Sequence, residues 1–171
     1  MSLPHAVQFY NDDVFLIDAV SAFITAGYKE NATIIVVATE KHRQDPRNIF
    51  RDSGNLGIEA KVVHIDASEL LSTFMVDGWP NEIQFASKVG RIIQEAALTG
   101  PVRIFGEMVA VLWAEGNTRA AIRLEELWNE IPTNQAFSLL CAYPLSDVSA
   151  QKDNASFLQV CPHHTHVHIP E

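Results

Sequence analysis

Positive charge is scarce in this chain and unevenly placed. Twelve Lys and Arg stand against twenty-one Asp and Glu, a formal net charge of −9, and no cation precedes Lys29. That argues against nucleic acid as the main partner, because phosphate backbones are bound by a cationic face. Cysteine is equally sparse: Cys141 and Cys161 are too few for a disulfide framework. No signal-peptide pattern precedes them, and no apolar run approaches the roughly 18 residues that read as a bilayer span. A cytoplasmic protein without membrane contact is therefore expected. Internal repeats, low-complexity tracts and linkers are also lacking.

What is there is an ordinary globular composition, 47% apolar and 19% charged, with 171 residues to build one substantial core. One domain is expected over residues 4–171, with Met1-Ser2-Leu3 a cloning remnant and the chain open to being a piece of a longer protein. The stretch Val102–Trp128 is the one around which the rest is arranged. It opens with a short buried strand, Val102 to Phe105, between Gly100-Pro101 and Gly106. Met108 to Ala114 is apolar on every side, as only a buried helix can be. Asn117 then caps a second helix, with Ala120, Ala121, Leu124, Leu127 and Trp128 at helical spacing. Trp113 and Trp128 fall on apolar helix faces and are expected in the core.

Elsewhere strands and helices alternate. Strands are read at His5–Phe9, Thr33–Ala38, Lys61–Ile65 and Phe137–Ala142, and Thr33–Ala38 is β-branched enough to be covered on both faces. Helices are read from Phe15 to Gly27, from Thr39 to the Gly54–Gly57 region, from Asp66 to Phe74, from Glu82 to about Thr99, and near Ala155–Gln159. Asn11 or Asp12 caps the first of these and Asp66 the third. Asp77-Gly78-Trp79-Pro80 is a turn. The expected fold is a three-layer α/β sandwich on a mainly parallel sheet.

Ligands of such sheets sit outside the carboxyl ends of the strands. That nominates Tyr10, Asn11, Asp12 and Asp13; Thr39 with Glu40; Gly106, Glu107 and Met108; and Tyr143 with Pro144, with Trp79 as a lid. The set holds aromatics, amides and carboxylates but no lysine or arginine. A phosphate loop needs glycines and a lysine where Asn11-Asp12-Asp13 stands, so nucleotide hydrolysis by a P-loop is excluded. Asn-Asp-Asp also reads simply as helix capping.

Glu107, a lone carboxylate at a core strand's tip, either satisfies the amides of the helix beginning beside it or accepts hydrogen bonds from a ligand. No partner for a catalytic role is recognisable in the sequence. In the tail, Cys161, His163, His164 and His166 offer a ligand set for zinc, joined by His5 from the first strand. If the tail is extended, His164, His166 and His168 share one face and Cys161 and His163 the other. The bland alternative is a terminal segment without metal, since the usual paired spacings are missing. His64 reads as packed on its strand, and Cys141, inside an apolar run, as an inert thiol.

Taken together, His5-Ala-Val-Gln-Phe-Tyr-Asn-Asp-Asp13, Phe105-Gly-Glu-Met-Val109, Leu112-Trp113, Leu124-Glu-Glu-Leu-Trp128 and Leu140-Cys-Ala-Tyr-Pro144 resemble the MEDS family, the "methanogen/methylotroph, DcmR sensory" domain. The closing Cys161 and histidine segment resembles it too, so the likeness spans nearly the whole chain. It implies a RecA- or KaiC-like core that has lost its nucleotide loop. It further implies a sensor of small hydrocarbon derivatives working with a DNA-binding helix-turn-helix or a sensor histidine kinase; neither motif is read in these 171 residues. The first expectation is thus a non-catalytic sensory module that binds a small molecule, needs no cofactor, and biases a histidine kinase or transcription regulator. A homodimer is compatible with that role. The alternatives are a protein-interaction module with no small ligand, and an enzyme working through the histidine tail and a metal, or through Glu107.

Overall fold

A computed structural model of the chain describes residues 5–131, 137–146 and 159–169. Its centre is a six-stranded sheet: β1 (His5–Tyr10), β2 (Thr33–Ala38), β3 (Val62–Asp66), β6 (Val102–Gly106), β7 (Phe137–Pro144) and β8 (His166–His168), in the order β3-β2-β6-β7-β1-β8. Every pairing in it is parallel. A separate two-stranded ribbon joins β4 (Met75–Val76) to β5 (Trp79–Pro80).

Both faces of the sheet are buried, which is why its central strands are apolar without alternation. Along β2, Ile34, Val36 and Ala38 join Leu16, Val20 and Ile24 of α1 (Asp13–Lys29) and Phe50 of α2 (Glu40–Asp52). Ile35 and Val37 point the other way. There they meet α4 (Ala67–Ser72), α7 (Met108–Ala114) and α8 (Thr118–Glu130), with the helical run α5 (Glu82–Phe85), a π-turn (Ala86–Gly90) and α6 (Arg91–Ala97). Strand side chains alternate faces with period two, so two cores form from one run. The result is the expected three-layer sandwich, and Trp113 and Trp128 lie in the second core.

Several local expectations hold and others need correction. Asp12 caps α1 by accepting from the Phe15 amide at 2.8 Å, and Asp66 caps α4 through the Glu69 amide at 3.0 Å. Asn117 precedes α8, but its side chain does not cap; it donates to the Gly78 carbonyl at 2.7 Å and ties the ribbon to the helix start. The Glu82–Thr99 helix is one run broken in hydrogen-bond pattern by the π-turn. An extra short helix, α3 (Leu56–Glu59), follows α2. Residues 155–158 of the last expected helix lie outside the described residues. The tail is not extended throughout: Cys161–His163 form a 3-10 turn, and only His166–His168 run as a strand beside β1.

Candidate functional site

The strand ends carry a chain of polar groups drawn from three loops. Glu107 follows β6 directly and is 2% exposed. Its carboxylate does not bond the amides of α7, the role that position invited. It crosses instead to the β2–α2 junction, where Oε2 accepts from the Thr39 amide at 2.9 Å and Oε1 meets His42 Nδ1. The other ring nitrogen, His42 Nε2, stands 3.3 Å from Asp13 Oδ1 at the start of α1. Tyr10 closes one side, its ring edge-on to His42 at 6.3 Å. A buried imidazole is thus held between two carboxylates. Burial alone would lower the His42 pKa; the hydrogen bonds and charges of Glu107 and then Asp13 outweigh it and raise the value above 6.5.

His42 is not apparent from the sequence because it lies inside α2, two residues past the strand-end pair Thr39-Glu40. In the first turn of a helix after a strand, a side chain still faces the strand ends. Pro46 lies one turn on and has no N–H for the His42 carbonyl, which loosens the helix there. The strand ends are not free of cations. Lys41 and Arg43 come to the strand ends on the same helix, but each meets a carboxylate: Lys41 pairs with Asp13, and Arg43 Nη2 donates to Asp66 Oδ2 at 2.8 Å. The Lys41 bond leads in lowering the Asp13 pKa. Both charges are committed to acids, and the corner stays unsuited to a triphosphate.

Beside this chain, α1 and α2 bound a surface groove of about 420 Å³. Val14, Ile17 and Ile49 give it apolar walls, and Asp13, Asp18 and Lys41 a charged rim. A second, narrower cleft of about 220 Å³ lies along the π-turn, between Phe85, Ala86, Gly90 and Leu127.

A separate cluster lies inside the other layer. His5 opens β1, Cys141 sits in β7 and Glu125 in α8, and His164 follows the 3-10 turn; one ligand atom of each falls within 4.8 Å of all the others. Glu125 Oε2 is 3.1 Å from His5 Nε2, 3.2 Å from His164 Nε2 and 3.7 Å from the Cys141 sulfur. Its other oxygen accepts a 2.6 Å hydrogen bond from the Tyr143 hydroxyl. Burial alone would raise the Glu125 pKa, but the His164 and His5 rings, when they donate to it, hold it well below the usual carboxylate range. Burial, reinforced by the Glu125 charge, pushes the Cys141 thiol and the Tyr143 phenol well up. An unaided Cys141 is inert, as its apolar run implied.

The residues nominated from sequence therefore divide. Tyr10, Asp13, Thr39 and Glu107 come together around His42. Asn11 and Asp12 are exposed, and Asp12 is used as a cap. Gly106 ends β6 in register with Cys141, and Met108 is packed in the core at 1% exposure. Tyr143 does not stand at a loop entrance: β7 runs two residues further than expected, and its ring is fully buried against Phe9 and Trp113. Trp79 sits half-exposed in the ribbon, against α8. Of the histidine tail, only His164 turns inward to meet His5. Cys161 packs against the core, His163 gives its carbonyl to Asn129, and His166 is exposed beside Thr165. His64 is packed as expected, its ring 3.1 Å from Glu59.

Fold and site together define an α/β domain whose strand-end corner holds an acid–imidazole–acid chain where a phosphate loop would need glycines and a free lysine. The MEDS family model, "MEthanogen/methylotroph, DcmR Sensory domain", matches residues 4–164, and the chain belongs to that family of sensory domains. No curated protein and no solved structure matches it. Among the described residues no helix is long and apolar enough to cross a membrane.

Proposed function

We propose that the domain is a non-catalytic sensor in which a small, weakly polar molecule binds in the groove between α1 and α2, and the Asp13–His42–Glu107 chain carries its presence to the sheet. One observation carries the reading: the groove shares Asp13 and Lys41 with that chain, and behind Asp13 stand His42 and then Glu107 on the central strand β6. A ligand that draws Asp13 or Lys41 out of their pair changes what His42 sees. His42 in turn links the ends of β1, β2 and β6. A volume of about 420 Å³ with apolar walls and few polar groups suits a small organic molecule. With both cations already paired to acids, nothing in the corner favours a nucleotide. The partner fitting a sensory family is a histidine kinase or a transcription regulator, which reads the change as a shifted conformational population.

The test is a thermal-shift screen of short alcohols, amines and halogenated hydrocarbons against Mg-ATP. A true ligand at a hundred times its Kd adds about 2.7 kcal/mol and raises Tm. Val14→Lys with Ile49→Lys, which crowds the groove, abolishes that rise. Stabilisation by Mg-ATP that disappears in Asp13→Ala would overturn the reading.

A second reading is favoured by Val14 and Ile49 themselves, which are 72% and 42% exposed on the same groove. Apolar side chains so placed suit a protein contact. In that case no small molecule shifts Tm, while the double lysine variant loses regulation of its partner.

A further inference from the structure

We propose that His5, Glu125, Cys141 and His164 form a closed, four-ligand site for a divalent transition-metal ion of the zinc class, which fastens the C-terminal segment to the sheet. This stands independently of the ligand reading above, and shares no residue with it.

The hydrogen bonds around the cluster fix which atoms face inward. Asn129 Nδ2 donates to the His163 carbonyl at 3.0 Å, so its oxygen is the atom 3.0 Å from His5 Nδ1. His5 Nδ1 must then carry the proton. His164 Nδ1 lies 2.8 Å from the Val160 carbonyl, which can only accept, and so carries its proton too. When His164 is neutral its bare Nε2 lone pair points at Glu125 Oε2, itself an acceptor, while His5 Nε2 lies between that oxygen and the Cys141 sulfur. Among the described residues, buried His164 Nε2 has no hydrogen-bond partner although the carboxylate oxygen is 3.2 Å away. Acceptors aimed at one another repel; a cation between them turns the same arrangement into a ligand set. Outer-shell bonds to backbone carbonyl and amide oxygens are the usual means of fixing ligating histidines.

The dimensions agree. Tetrahedral zinc with bonds of about 2.0–2.3 Å sets its ligand atoms about 3.3–3.7 Å apart. His5 Nε2 is 3.4 Å from the Cys141 sulfur, and Glu125 Oε2 is 3.1–3.7 Å from the other three donors. Two imidazoles, a thiolate and a carboxylate exclude calcium and magnesium, which take oxygen, and suit zinc or its neighbours. Charge closes as well: thiolate plus carboxylate balance a divalent ion, and Cys141 releases its proton to water on binding. Four protein ligands leave no open position, which marks a structural site and not a hydrolytic one. The elements joined are β1, β7, α8 and the tail, in addition to the tail's own pairing of β8 with β1.

The experiment uses the whole chain. Elemental analysis after purification is expected to find one zinc per chain. Cobalt added to chelator-stripped protein is expected to give tetrahedral visible bands and a thiolate-to-cobalt charge-transfer band. Cys161→Ser keeps that band and Cys141→Ser loses it. Asn129→Ala, which frees the His5 ring, weakens cobalt about 10–100-fold in chelator competition, while His166→Ala does not. Failure of the wild-type protein to bind zinc or cobalt, loss of the band in Cys161→Ser, or unchanged affinity in Asn129→Ala would each overturn the site. Cys161→Ser decides the sulfur even if Cys141→Ser does not fold.

Discussion

Glu107 and His42, 65 residues apart, meet in a buried hydrogen bond that links the end of β6 to the first turn of α2. Its two members come from a loop and a helix that sequence alone treats separately, and their contact makes one site of three strand ends.

Because Glu107 also accepts the Thr39 amide, Glu107→Ala leaves two donors unpaired at once. A loss of about 3–5 kcal/mol is expected, the range for breaking a buried charged pair. Glu107→Gln, which can still accept one bond, is expected to lose about 1–3 kcal/mol. Urea unfolding monitored by tryptophan fluorescence measures both.

His42 gives a pH dependence with a definite sign. Its pKa is raised above 6.5 in the fold, so the folded state holds the proton more tightly than the unfolded chain. The stabilisation is complete below 6.5 and disappears as pH rises through the folded value. The stability difference between wild type and His42→Asn is therefore expected to be larger at pH 6 than at pH 9. Equal differences, with no histidine titrating above 6.5 by NMR, would contradict the assignment.

Tyr143→Phe removes the donor to Glu125 Oε1 in a fully buried setting. A loss of about 1–3 kcal/mol in urea unfolding is expected for the orphaned acceptor.

Two glycines are expected to respond oppositely to alanine. A Cβ at Gly27 would meet Arg103 Cδ and Ile34 Cγ1 at 2.9 Å, and Arg103 cannot yield freely because its guanidinium lies 4.4 Å over the Phe23 ring. Gly27→Ala is expected to cost about 1–3 kcal/mol by overpacking. Gly90, at the close of the π-turn, has nothing within 4 Å of that position. Gly90→Ala is expected to gain about 0.5–1 kcal/mol through backbone entropy. Thermal unfolding of the pair checks both signs.

The layers were legible because burial on both faces writes itself locally: Thr33–Ala38 and Val102–Phe105 read as covered strands and are. The corner was half legible. Tyr10, Asp13, Thr39 and Glu107 each end or follow a strand, so position alone found them, whereas His42 lies within a helix and looks like any surface histidine. Glu125 was hidden more thoroughly. Beside Leu124 in an amphipathic helix it reads as a rim charge, and only partners 16, 39 and 120 positions away make it a buried centre. Tyr143 reads as a loop residue because Pro144 looks like a stop, whereas β7 runs on through Pro144, in register with Tyr10 of β1.

The outermost strand has one more consequence. Three residues of β8 shield the flank of β1, whose inner side is already matched to β7. Anything that unseats this short cover bares a ready row of backbone donors and acceptors at Ala6 to Gln8. Only those few residues separate a covered sheet edge from a bare one.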